Sequence, residues 1–141
     1  MTTTHELNIK IEDDNTLSFG NFTADVKQKT EGFMFEGNSY NVKTYKESTR
    51  LTKNKELLLE TVPGANIHHF HKEDLEAVFG ITGASANTMV TVQLQEDTIY
   101  RISTGNGKNK LGSMSSGVSG KLSFSLDLSD GKEQVVRLEK A

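Results

Sequence analysis

The sequence predicts an all-β protein folded as an antiparallel β-sandwich, and three observations support this fold class. Hydrophobic and polar residues alternate along much of the chain, most clearly in residues 122–128, Leu-Ser-Phe-Ser-Leu-Asp-Leu. Such alternation places the apolar side chains on one face of a strand. Turn-forming pairs such as Pro63-Gly64 and Asp130-Gly131 separate these short runs. Only residues 45–54 and 71–78 leave room for a helix. Neither segment favours one, because threonines weaken the first and no Ser or Asn caps the second.

The alternating runs and turn signals predict thirteen short strands. Their spacing is typical of a sandwich or a barrel. The predicted strands cover residues 5–12, 16–26, 32–36, 39–46, 49–52, 56–62, 66–71, 75–81, 88–95, 98–104, 110–114, 121–128 and 133–139.

The one proline of the chain, Pro63, marks the predicted boundary between two β units. Residues 63–141 read as seven strands, a number typical of an immunoglobulin-like or fibronectin-like sandwich. Residues 1–62 are expected to be a β extension, because sixty residues alone make a marginal core. The extension must bury its aromatic residues against the other unit; these are Phe19, Phe22, Phe33, Phe35 and Tyr40.

Composition excludes several classes of function. The chain has 141 residues, with 16 basic and 19 acidic side chains spread evenly along it, so it lacks the basic stretch of a nucleic-acid-binding protein. It has no cysteine, which excludes disulfides, thiolate catalysis and sulfur-bound zinc. No apolar stretch is long enough to span a membrane, and no signal peptide is visible. We therefore expect a cytoplasmic protein, or a cell-surface or extracellular one if another export route is used.

A histidine cluster at residues 67–74, Ile-His-His-Phe-His-Lys-Glu-Asp, is the sharpest local feature. On a regular strand His69 and His71 project from one face and could bind a divalent transition metal, with Glu73 or Asp74 as an oxygen ligand. The alternative is that Phe70 is buried and both imidazoles are solvated. Because the sequence locates no further ligand, we expect no metal site and no cofactor.

Catalytic motifs are also missing from the sequence. Residues 105–120 are rich in glycine and serine, but they have neither the spacing of a phosphate-binding loop nor the Gly-x-Ser-x-Gly of a nucleophile elbow. The acids at 12–14 and the asparagine that follows them are ordinary turn residues. The sequence therefore predicts no catalytic residues.

Three segments carry a resemblance to known proteins: residues 37–47, 59–65 and 118–128. With them the chain resembles a family of small proteins from anaerobic Gram-positive bacteria that are often labelled endosialidase-like. The last segment also resembles the final strands of immunoglobulin-like modules in glycan-active and cell-surface proteins. A sialidase would need acids and several arginines around an anionic sugar, and the arginines of this chain are Arg50, Arg101 and Arg137. No catalytic motif of that family maps onto the sequence.

These observations favour a non-enzymatic structural or interaction protein. Its expected partner is a protein, including a second copy of the same chain, because small sandwiches present sheet edges and polar faces. The alternative is a carbohydrate-binding module that stacks sugars on Tyr40, Tyr45 or Tyr100. A small glycan-active enzyme of the sialidase kind is the third hypothesis.

Overall fold

The computed structural model describes residues 8–73, 75–105 and 109–141, and these residues form two antiparallel sheets packed face to face. Strands make up 63% of the described chain, so the predicted all-β antiparallel sandwich is confirmed. The described residues of the segments 45–54 and 71–78, where a helix had room, lie in β-strands and turns. Among the described residues no helix is long and apolar enough to cross a membrane.

The thirteen strands, numbered in chain order, divide seven to six between the sheets. The larger sheet has the spatial order β1 (Ile9–Ile11), β2 (Leu17–Phe19), β7 (Asn66–Glu73), β8 (Glu76–Thr82), β13 (Gln134–Lys140), β10 (Ile99–Thr104) and β11 (Asn109–Ser115). The smaller sheet has the order β12 (Lys121–Leu126), β9 (Thr88–Gln93), β6 (Glu56–Val62), β5 (Ser48–Lys53), β4 (Asn38–Tyr45) and β3 (Gln28–Phe35).

Strands from both sides of the predicted boundary at residues 62 and 63 pair with each other. β2 pairs with β7 in the larger sheet, and β6 pairs with β9 in the smaller sheet. Of the last seven strands, five lie in the larger sheet and two in the smaller one. The division into 1–62 and 63–141 and the likeness to immunoglobulin folds both stay predictions.

The side chains of β12 alternate between the core and the solvent, as the sequence predicts. Leu122, Phe124 and Leu126 are buried, whereas Ser123 and Ser125 are exposed. The inward side chains meet the core through β9, where Leu122 lies opposite a buried valine. The strand face predicted from residues 122–126 is therefore correct.

Two strand limits differ from the predicted ones because the backbone departs from regular geometry. β2 ends at Phe19, since Gly20 takes a φ of +108° and a Cβ there would lie 2.5 Å from the Ala65 carbonyl oxygen. β3 begins earlier than predicted, and a register shift between Thr30 and Phe33 hides its alternation. β8 begins one residue later than the predicted strand 75–81, because Leu75 lies in the preceding turn and is 42% exposed.

A chain of buried hydrogen bonds fixes the passage from β6 in the smaller sheet to β7 in the larger one. The Thr49 hydroxyl donates to the Ala65 carbonyl at 2.7 Å and accepts from the Ala65 N–H at 3.2 Å. The single proton of the Thr49 hydroxyl is used in the bond to the Ala65 carbonyl, so the Thr44 hydroxyl donates to Thr49 Oγ1, 2.8 Å away. The Thr44 hydroxyl in turn accepts from the Asn21 N–H at 2.8 Å. These bonds join the β4–β5 hairpin and the segment after β2 to the crossing chain.

Thr61 has the same burial as Thr49 but a different environment. The two residues are direct partners in the β5–β6 register, and both are fully buried. The Thr61 hydroxyl oxygen has no hydrogen-bond partner among the described residues. Thr49 and Thr61 are therefore a matched pair for measuring what the hydrogen bonds contribute.

Replacing Thr49→Val should lower the free energy of unfolding by about 1–3 kcal/mol, because it leaves buried groups of Ala65 and Thr44 unpaired. Thr61→Val, which removes a hydroxyl without a partner, should be neutral or stabilising. Urea unfolding of the two variants measures both effects. Equal losses of stability would show that the volume of the methyl group matters and the hydroxyl does not.

Replacing Phe124→Ala should lower the free energy of unfolding by about 3–5 kcal/mol, because the ring fills the core between the sheets. The control is Ser125→Ala on the opposite face of the same strand, for which we expect a change within about 0.5 kcal/mol. Chemical denaturation of both variants is the measurement. A Phe124→Ala protein as stable as the wild type would contradict the packing of β12.

Candidate functional sites

His69 lies at a bulge in β7 and turns toward the hairpin between β1 and β2. Its φ is +52°, and the pairing of β7 with β8 shifts register between His68 and His71. The ring nitrogen Nδ1 is 3.0 Å from Asp14 Oδ2 and 3.2 Å from Thr16 Oγ1. An ionised carboxylate can only accept, so Nδ1 carries the proton in this arrangement. The bulge interrupts the regular alternation from which a common face for two histidines was predicted.

Ser18 completes this cluster, but it does not contact the imidazole as a nucleophile would. Its hydroxyl donates to Glu12 Oε2 and accepts from the main-chain N–H of His69 at 3.0 Å. Nucleophilic serines are activated by a hydrogen bond to the ring nitrogen of a histidine. The hydrogen bonds of Ser18 and His69 join β7 to the β1–β2 hairpin.

Both carboxylates of the cluster have lowered pKa values. The hydrogen bond from Ser18 is the main cause that lowers the pKa of Glu12, and the nearby charge of Lys10 acts in the same direction. The hydrogen bond from Thr16 is the main cause that lowers the pKa of Asp14. Each hydrogen bond stabilises the ionised carboxylate.

No hydrogen bond connects His71 to His69 among the described residues. Its Nε2 lies 3.3 Å from Glu73 Oε1, and both side chains are solvent-exposed. The other suggested ligand, Asp74, lies outside the described residues. Within the described ranges no three His, Cys, Asp or Glu side chains form a group that could hold a metal. The absence of a native metal site stays a prediction.

The three tyrosines suggested as sugar platforms have different exposures. Tyr100 is fully buried and accepts a hydrogen bond from the Gln95 N–H at 3.1 Å, while Tyr40 is 6% exposed and packs on Phe35. Tyr45 lies half-buried on the outer face of the smaller sheet, and the Lys27 ammonium is 5.5 Å from its ring centre. Tyr45 is therefore the suggested tyrosine whose ring a ligand can reach.

Three cations form a row across the same outer face, which we name the basic row. Lys29, Lys43 and Arg50 occupy paired positions on the neighbouring strands β3, β4 and β5. All three are exposed, and none has an ion pair with a described residue. Sequence reasoning missed this feature because it examined charge along the chain, whereas pairing of strands creates the row.

A second group of cations surrounds an open hollow of about 560 Å³ on the outer face of β10, β11 and β13. Its cations are Arg101, Lys110 and Arg137. Arg137 already binds Glu76 at 2.6 Å, and Arg101 lies directly opposite Glu139. The hollow therefore contains its own acidic neighbours.

The strand β11 has an exposure pattern unlike that of the other strands. It pairs with β10 alone, and all seven of its residues are exposed. Met114 lies opposite Tyr100, whose side chain points into the core, but Met114 is 40% exposed. The inner face of the larger sheet thus continues onto β11 without a covering layer.

Stability should fall as the pH drops through the carboxyl range, because Glu12 and Asp14 have lowered pKa values in the folded protein. Their contribution is present above the unfolded values of about 4.3 and 3.9 and is lost as the pH falls through the folded values. Replacing Ser18→Ala should raise the pKa of Glu12 toward its ordinary value and reduce this loss. Carboxyl NMR titration is the measurement, and Asp127, whose pKa is lowered by Ser129, is the internal control. An unchanged Glu12 titration would contradict the assignment of the Ser18 bond as the main cause.

Comparison with known proteins gives no indication of function. The chain matches no protein-family model, no curated protein and no solved structure. The resemblance to endosialidase-like proteins therefore stays an expectation. The exposed edge β11 and the basic row are the two surfaces from which function can be argued.

Proposed function

We propose that the protein is a non-enzymatic interaction module that self-associates through the free edge of β11. The observation that carries the proposal is the exposure of every residue of this strand, although the strand is seven residues long. An edge strand offers unpaired N–H and C=O groups to which a strand of another chain can pair. The likeness of residues 63–141 to immunoglobulin-like sandwiches is part of this proposal, but the fold alone assigns no function.

The apolar side chains near β11 favour a second copy as its occupant. Leu111 is 49% exposed and Met114 is 40% exposed. Pairing of two β11 strands about a two-fold axis would make a self-complementary interface. It would also cover these side chains, whose burial is favourable by about 25 cal/mol per Å².

The other sheet edges are less suited to this pairing. β1 has only three residues. β3 and β11 each contain a register shift, but β3 has one exposed large apolar side chain, Met34, whereas β11 has Leu111 and Met114. β12 shows only Lys121, Ser123 and Ser125 at its surface, because its apolar residues are all buried. Short strands and polar side chains are features that protect edges from pairing.

The hydroxyl of Ser18 supports a role without catalysis. It binds Glu12 and the main chain, and therefore lacks the activating contact that an acyl-transfer mechanism requires. The carboxylate of Asp14 accepts a hydrogen bond from His69 of β7, and the carboxylate of Glu12 accepts one from Ser18 of β2. These hydrogen bonds support a structural role for both carboxylates.

Sedimentation velocity over a broad concentration series should show a dimer in the wild type and a monomer in the double variant Leu111→Lys, Met114→Lys. The added charges repel across a two-fold interface and keep the apolar patch solvated. The matched control is Val26→Lys, Met34→Lys, which places the same charges on exposed apolar positions away from β11 and should leave the dimer intact. A wild-type protein that stays monomeric at the highest concentration, or a dimer lost only in the control, would overturn the proposal.

A further inference from the structure

We propose that the outer face of the smaller sheet binds a linear polysaccharide that carries carboxylate groups, with the basic row as its anion-binding element. This inference rests on a surface different from β11 and does not depend on self-association. It concerns Lys29, Lys43 and Arg50 together with Tyr45, which lies on the same face. Polyuronates, in which each sugar bears one carboxylate, are the chemical class.

The register places the three cations at the separation of neighbouring strands. Lys29 is the direct partner of Lys43, and Lys43 is the direct partner of Arg50. Neighbouring strands are about 4.8 Å apart, so the row presents one positive charge per strand over three strands. A chain laid across the strands would meet these charges in succession, as a polymer with a regular repeat of carboxylates requires.

The row is unfavourable for the isolated protein, which is an argument for a ligand. Like charges directly opposite each other on neighbouring strands are destabilising. Arg50 lies directly opposite an acid, Glu60, on its other side, so the uncompensated part of the row is Lys29 and Lys43. Lys29 and Lys43 face no acid in register, so the stability of the fold does not explain their positions.

The surroundings of the row are those of a sugar site. Tyr45 lies one step from Lys43 along β4 on the same face, and its partner in the register is Ser48. On the other side of Lys43 the row is flanked by Asn41 and its partner Thr52. The Lys27 ammonium lies over one face of the Tyr45 ring, 5.5 Å from its centre, so the ring offers a ligand its remaining surface. The hydroxyl and amide groups can bind sugar hydroxyls.

A polyuronate fits this face better than a nucleic acid does. Proteins that bind single strands stack successive bases on several aromatic rings, and the described part of this face has one accessible ring, Tyr45. A duplex carries one negative charge per about 1.7 Å of its axis, which is much denser than one cation per strand spacing of about 4.8 Å. The net charge of −3 opposes the long-range attraction of any polyanion, and that of so dense a one most strongly. Arg50 can bind a carboxylate through two parallel hydrogen bonds.

The test measures binding of the full chain to polygalacturonate by calorimetry, with fully methyl-esterified polygalacturonate as the uncharged probe and single-stranded DNA as a second polyanion. We expect the wild type to bind polygalacturonate most tightly and to lose affinity as salt is added. The triple variant Lys29→Gln, Lys43→Gln, Arg50→Gln should bind at least about tenfold more weakly.

Two further variants separate the row from net charge and from folding. The matched control replaces three exposed lysines elsewhere, Lys55→Gln, Lys132→Gln, Lys140→Gln, and should bind as the wild type does. The variant Lys29→Arg, Lys43→Arg keeps the charges and should retain binding. Removing three like charges should leave the Tm of the triple variant unchanged or raise it, so that lost binding does not reflect unfolding.

Three outcomes would overturn the proposal. They are equal affinity of the wild type for the charged and the esterified polymer, unchanged affinity in the triple variant, and equal loss of affinity in the lysine control. Tighter binding of single-stranded DNA than of polygalacturonate would also overturn it and would assign the row to nucleic acid. None of these outcomes depends on whether β11 mediates self-association.

Discussion

The hydroxyl of Thr49 holds the point at which the polypeptide leaves the smaller sheet for the larger one. The chain has no cysteine, so no disulfide can hold this crossing, and it depends on hydrogen bonds and packing. Thr49 binds both the N–H and the carbonyl of Ala65. Only a glycine fits at position 64, because a Cβ there would lie 2.0 Å from the carbonyl oxygen of Tyr45. The crossing sets the position of β7 between β2 and β8, and β7 in turn positions His69 against the first hairpin.

Strand pairing sorts charges that the sequence distributes evenly. Lys29, Lys43 and Arg50 are separated along the chain by the hairpin turns, yet the register of β3, β4 and β5 makes them neighbours. The acids at the first hairpin meet His69 instead of these cations. A protein with net charge −3 therefore carries a positive row on one sheet and an acidic cluster on the other. Net charge alone is a poor guide to such a surface, because ligands respond to the local field.

The strand pattern was predictable from the sequence because it depends on local alternation and turns. Thirteen strands were expected and thirteen are described, and the inward face of β12 is as predicted. Departures occur where the backbone is irregular: Gly20 ends β2 early, and the bulge at His69 breaks the alternation of β7. Both features follow from contacts with residues distant in sequence, so a reading of local periodicity could not find them.

The candidate surfaces were less predictable than the strands, since they depend on which strands become neighbours. Tyr40, Tyr45 and Tyr100 look alike in the sequence, and only their places in the sheets separate a half-exposed ring from two buried ones. The exposure of β11 follows from its position at the end of the larger sheet. The pattern of residues 110–114 predicts a strand, but it does not predict the position of that strand in the spatial order of the sheet. The hydroxyl chain from Asn21 to Ala65 is likewise a consequence of tertiary packing.

The two proposed surfaces lie at opposite edges of the sandwich, which bears on how they would act together. β1 and β3 end their sheets on the same side, where the Asn8 N–H donates to Thr30 Oγ1 at 3.4 Å and the Asn15 side chain donates to Glu36 at 3.0 Å. β11 ends the larger sheet on the other side, so pairing of two β11 strands leaves both basic rows uncovered. A two-fold dimer would then present two rows to one polymer. Because the second contact is intramolecular once the first has formed, the dimer would bind a long polyuronate more tightly than a monomer without any new contact, provided that the polymer spans both rows.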